Sequence, residues 1–193
     1  MNKRLLSKLE QGEGTTLVGK LLLTRMQRQT LLKWLLMALI YLLLQVMQDV
    51  IFSRFRILGG CPDVVPGFLM LVCMLQGPVS GGLFTLCCCV FRDLAGAVLG
   101  PVTIVVVTGA GVLLSVLRKA YLWRELVPTL ACCELGLLLN QAALFAMGLF
   151  LAETTPERWV AALGGLLGST AAMLLLYPVV RAVGQIGGNP WRE

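Results

Sequence analysis

Histidine is absent from this 193-residue chain, charged residues make up only 13% of it and aromatic residues 7%. Each shortage excludes something. A soluble domain carries about 25% charged residues, whereas here 58% of residues are hydrophobic and the mean hydropathy is +0.84, an imbalance that a water-soluble core cannot hide. The usual sequence signatures of catalysis are also missing: there is no Walker loop, dinucleotide fingerprint, Gly-x-Ser-x-Gly elbow or His-Glu-x-x-His. With short loops, any catalytic group would have to lie within an apolar run, so the chain reads as a non-enzyme without a cofactor. The formal charge of +6 would suit nucleic acid if the basic residues formed one patch, but they cluster at the ends of apolar runs instead.

What is present is a series of long apolar runs. Lipid-exposed backbone must close its hydrogen bonds within each segment, which leaves helices or a closed barrel. A barrel needs short segments alternating apolar and polar, and Leu35-Leu36-Met37-Ala38-Leu39-Ile40 does not alternate. The expected fold is therefore an all-α polytopic membrane bundle. Six of the seven cysteines, Cys73, Cys87, Cys88, Cys89, Cys132 and Cys133, fall inside apolar runs and read as small buried side chains. Only Cys61 falls in a loop. The adjacent triplet Cys87-Cys88-Cys89 cannot aim its thiols at one ion from a helix, so no metal site is expected.

The chain divides into a basic cytoplasmic segment (1–30), a transmembrane bundle (31–183) and a short cytoplasmic tail (184–193). Lys3, Arg4, Lys8, Lys20, Arg25, Arg28 and Lys33 oppose only Glu10 and Glu13, the positive flank that keeps an N-terminus inside. Leu17, Leu21, Leu22 and Met26 at helical spacing suggest an amphipathic helix on the anionic inner leaflet. The first span, Leu31 to Met47, starts too far in and lacks the cleavage site of a signal peptide. Next come Val64 to Gln76 and Val79 to Phe91, both shorter than the roughly 20 residues a span usually needs and separated by Gly77-Pro78. They are two short crossing helices, a re-entrant hairpin or one kinked helix. After Pro101 to Leu117 comes a basic cluster, Arg118, Lys119 and Arg124. It faces inside if the Gly-Pro segment is a hairpin and outside if it is one helix, so the kinked helix is disfavoured. Leu126 to Ala152 and Trp159 to Val183 complete six helices with both termini cytoplasmic. That arrangement places twelve of the 16 basic residues inside. Trp34, Tyr41, Trp123, Trp159 and Tyr177 mostly fall near span ends, as interfacial aromatics do.

Ionisable residues within spans are the first candidates for function. Arg92 and Asp93 stand near the expected outer end of the third helix and, as sequence neighbours, point about 100° apart, so each should pair with another element. Glu134, Asn140 and Gln141 make the fifth helix the most polar. They read as interhelical hydrogen bonding rather than a proton path. Gly164-x-x-x-Gly168, Ala142-x-x-x-Ala146, and Gly77 with Gly81 supply the small residues of close helix contacts.

The stretch from Gln45 to Gly100 resembles the MreD family, small membrane proteins of the bacterial rod-shape and cell-wall elongation machinery. The resemblance is carried in order by Gln45-Val46-Met47-Gln48, Phe55 to Asp63 ending in Pro62-Asp63, the turn Gly77-Pro78 followed by Gly81-Gly82, then Asp93, Gly96 and Leu99-Gly100. It covers about a third of the chain, and the long basic N-terminal segment, the cysteine triplet and Arg92 depart from it. It implies a non-enzymatic scaffold of the bacterial cytoplasmic membrane. The scaffold would bind the bitopic protein MreC and, through it, a SEDS glycosyltransferase with its class B penicillin-binding protein, regulating peptidoglycan synthesis and cell shape. Under it, Pro62 would start the second helix and Asp63 would complement its N-terminal dipole. The competing expectation is a substrate-binding subunit of an energy-coupling-factor vitamin transporter, which would need convergent polar and aromatic groups around a small-molecule pocket.

Overall fold

A computed structural model describes residues 25–55, 59–96, 102–121, 126–151 and 159–186. These form six α-helices and, among the described residues, no strand. Helix α1 (Arg25–Met47) continues into a π-helical turn, Gln48–Phe52. It is followed by α2 (Val64–Gln76), α3 (Ser80–Leu94), α4 (Val102–Tyr121), α5 (Leu126–Phe150) and α6 (Trp159–Gly184). Gln27–Phe52, α5 and α6 are long and apolar enough to cross a membrane. The chain is an all-α membrane protein.

The helix placed at the centre is the shortest. At 13 residues, α2 spans ~20 Å at 1.5 Å per residue, less than the apolar thickness of a bilayer. Every residue of α2 except Leu75 is buried. An all-round apolar helix needs partners on all sides, and α1, α3, α4, α5 and α6 all touch it. Lipid tails are as apolar as leucine, so close fit and polar cross-links rather than water exclusion hold such a bundle together.

The contacts fix the direction of each helix. In the α2–α3 pair, a Cβ on Gly81 would lie 2.7 Å from the Cys73 Cα, and Thr85 Oγ1 donates to the Leu69 carbonyl at 3.2 Å. These pairs close symmetrically on Gly77, so the Gly77-Pro78 segment is a hairpin and the single kinked helix is excluded. Gly77 ends α2 at φ +98°, a left-handed conformation that glycine adopts without a Cβ clash. Helix α1 runs antiparallel to α2, touching it through Lys33 and Gln76 at one end and Gln48 and Val64 at the other. Helices α4 and α6 run parallel to it, and α5 lies antiparallel, with Gly136 against Met70 and Leu137 beside Gly67. Directions therefore alternate along the chain, and the start of α1 and the end of α6 share one end of the bundle.

Some expectations shift. Helix α1 begins by Arg25, so residues 25–30 belong to the first helix rather than to a separate segment. Residues 1–24, with most of the expected amphipathic helix, and residues 187–193 of the tail lie outside the described residues. Pro62 stands before the helix, since Asp63 is the N-cap and Val64 the first helical residue. Tyr41 and Tyr177 are buried within the bundle; Tyr41 shares a helix face with Lys33, Met37 and Leu44 at intervals of four, four and three, and that face meets the other helices. Cys87 is exposed while Cys88 and Cys89 are buried, as consecutive positions on a half-covered helix must be.

Candidate functional site

Helix α2 concentrates the polar chemistry at its two ends. At its N-terminus the first N–H groups have no intrahelical acceptor, and side chains from distant elements supply them. Gln48, on the π turn, accepts from Val64 N–H at 3.0 Å through Oε1 and donates Nε2 to the Pro62 carbonyl at 2.7 Å. π turns of this kind often mark functional positions. Ser169 of α6 accepts from Asp63 N–H at 3.0 Å, and its hydroxyl lies 2.9 Å from the carbonyls of both Asp63 and Gly165. With its own backbone held in this way, the Asp63 side chain does not cap the helix. It turns to Arg92 of α3 instead, whose Nη2 lies 2.9 Å from both carboxylate oxygens. This is the only salt bridge among the described residues, with side chains 8% and 22% exposed.

Beside the pair a narrow cleft between α2, α3 and α4 is lined by Pro66, Leu69, Cys89, Arg92, Asp93 and Thr103. Arg92 Nε and Thr103 Oγ1 are buried there without a partner among the described residues. Asp93 is half-buried at its rim, and Gly96, at φ +73°, follows the end of α3 in the open. Gly100 lies outside the described residues. The opposite end of α2 is cationic. Lys33 Nζ donates to Gln76 Oε1 at 3.0 Å, and Arg118 Nη1 donates to the Met74 carbonyl at 2.6 Å.

The polar residues of α5 divide. Glu134 meets Thr170 of α6, whose Oγ1 lies 2.8 Å from both carboxylate oxygens and 2.9 Å from the Leu166 carbonyl, so its single proton serves one acceptor at a time. Asn140 is 1% exposed, and neither side-chain atom has a partner among the described residues. Gln141 is half-buried on the neighbouring face. In α6 a Cβ on Gly165 would sit 2.9 Å from the Cys61 carbonyl, and one on Gly184 would meet the Gln76 side chain. Gly164 is buried and Gly168 half-buried. Ala142 and Ala146 are exposed and face away from this chain's own helices.

The structure thus joins Pro62, Asp63, Gly77, Pro78, Gly81 and Asp93 around one helix and leaves Glu134 and Asn140 as separate features. Sequence reasoning missed Gln48, Ser169 and Thr170 as partners because nothing local marks a hydrogen bond across 16, 106 or 36 positions. It counted Lys33 in the positive N-terminal flank, whereas the structure covers the face that Lys33 shares with Met37 and Tyr41. Chemically, the arrangement ties helices together at both ends of α2. Among the described residues, no group of three or more His, Cys, Asp or Glu could hold a metal. No family model, curated protein or solved structure matches the chain.

Proposed function

We propose that this chain is a non-enzymatic, multi-pass scaffold of the bacterial cytoplasmic membrane. It would belong to the cell-wall elongation complex, in the manner of the MreD family, with both termini cytoplasmic and the Asp63–Arg92 end of the bundle outside. Its partner is an MreC-like bitopic protein, and through that protein a SEDS glycosyltransferase with its class B penicillin-binding protein. The observation that carries this reading is the convergence of the resembling residues on one device: Gln48 clasps the start of α2, Pro62-Asp63 leads into it, Gly77-Pro78 turns out of it and Asp93 stands beside the arginine that grips Asp63. A set of residues that is scattered over the sequence yet holds a single buried helix suits a protein whose task is to present a rigid surface. Ion pairs and capped helix ends fix geometry without turning over a substrate.

The test is depletion of the protein together with copurification from membranes. Loss of rod shape and recovery of an MreC-like bitopic partner are expected. Unchanged cell shape with no such partner would sink the assignment. Ligand copurification, or a ligand-dependent rise in melting temperature with a vitamin-sized molecule, would instead favour the transporter subunit.

A further inference from the structure

On one side of the bundle, charged residues bracket a strip of apolar surface too short for an ordinary bilayer. At the Gln76 end of α2 stand Lys33 of α1, bonded to Gln76, and Arg118 of α4, bonded to the Met74 carbonyl. The exposed Arg181 of α6 joins them, one turn from Gly184, which packs on Gln76. At the other end Asp49 is exposed next to Gln48, the partner of Val64, and Asp63 pairs with Arg92 beside Asp93. Between these two levels α1 rises ~24 Å from Lys33 to Asp49, α3 ~21 Å from Pro78 to Arg92 and α4 ~24 Å from Val102 to Arg118, at about 1.5 Å per residue. Tilt would only shorten them. The hydrocarbon core of a bilayer is about 30 Å thick. Helix α6, by contrast, runs ~33 Å from Trp159 to Arg181 with no ionisable residue between them. The short strip faces outward: Val79 and Leu94, at the two ends of α3, are 84% and 82% exposed, and Leu83 and Val90 are exposed between them on the same face. Long basic side chains often extend such a strip by reaching out to the interface. Here their head groups are held inside, Lys33 by Gln76, Arg92 by Asp63 and Arg118 by the Met74 carbonyl.

We propose that α1, α3 and α4 draw the bilayer thin along their side of the bundle, and that the face they share is covered by phospholipid of short acyl chain rather than by protein. A short apolar stretch is matched by thinning the bilayer, at a modest cost per ångström, while α6 meets a bilayer of ordinary thickness. The inference rests on the chain being a membrane protein and stands independently of the scaffold reading. The test places the full chain in fluid phosphatidylcholine bilayers with acyl chains of fourteen, eighteen or twenty-two carbons. The melting midpoint should be highest in the fourteen-carbon lipid and lowest in the twenty-two-carbon lipid, and in competition the first should be retained about fivefold over the second. The double variant Asp49→Leu with Asp93→Leu removes the carboxylates that close the strip on α1 and α3, and its midpoint should peak at longer chains. Arg28→Gln, beyond the strip, should leave the optimum where it is. Should the double variant not fold, the wild-type profile decides alone. A midpoint that is flat or rises with chain length overturns the proposal. So does a dimer that forms in the thicker bilayers and is linked through Cys87, exposed on α3, in a Cys61→Ser chain, because a second copy would then cover the face.

Discussion

At the residue scale, the Asp63–Arg92 pair shows how a charge within an apolar bundle is tolerated. Both groups are largely removed from water, so either alone would be a stranded charge, while together they neutralise each other. Removing one member of a buried pair typically costs about 3–5 kcal/mol, and removing both costs less. Asp63→Asn and Arg92→Met are therefore each expected to lower the melting temperature in detergent more than the double variant does, read as a double-mutant cycle; simple additivity would show that the pair is not coupled. Glu134 and Thr170 are held more loosely, since one hydroxyl proton is shared among three acceptors. Thr170→Ala should cost about 0.6 kcal/mol, the average for a hydrogen bond between membrane helices, measured by the shift in unfolding midpoint. That Arg92 would pair outside its own helix was legible from its spacing to Asp93. That Asp63, 29 residues away, would be the partner was not, because only the fold back at Gly77 brings them together.

Among the elements, the α2–α3 hairpin depends on backbone approaching backbone. A Cβ at position 81 would meet the Cys73 Cα at 2.7 Å and the Val72 carbonyl at 3.0 Å, atoms that move only if the helices part. A Cβ at position 136 would meet the Met70 sulfur and methyl at 2.5 and 3.0 Å, the far end of the most adaptable apolar side chain. Gly81→Ala is expected to cost about 1–3 kcal/mol, as overpacking does, and Gly136→Ala much less, both followed by thermal melting. Equal effects would show that the two contacts do not differ in compliance. Composition alone could not separate these glycines: both lie in apolar runs rich in small residues, and the difference is what stands opposite.

For the whole molecule, alternating helix directions put the start of α1, the α2–α3 turn and the end of α6 at one end of the bundle, and the Asp63–Arg92 pair at the other. Sidedness follows if the basic flank is cytoplasmic. Native Cys61, exposed beside α2's N-terminus, should then react with a membrane-impermeant maleimide in intact cells. A cysteine replacing Leu122 should react only after permeabilisation. Labelling in the reverse order would invert the bundle. The six helices were readable from sequence, though not the start of α1 or the ends of α3 and α4, because backbone in lipid must bond to itself, so each apolar run becomes a helix wherever polar residues, glycine and proline do not interrupt it. Val64 to Gln76 was delimited in this way before any contact was known. Its place at the centre was decided only by tertiary structure. A run that is apolar on every face carries no stripe to say what covers it, and lipid and neighbouring helices are equally apolar surroundings. The same holds for Lys33, whose position suits a basic flank and whose burial against Gln76 follows from where a short central helix ends.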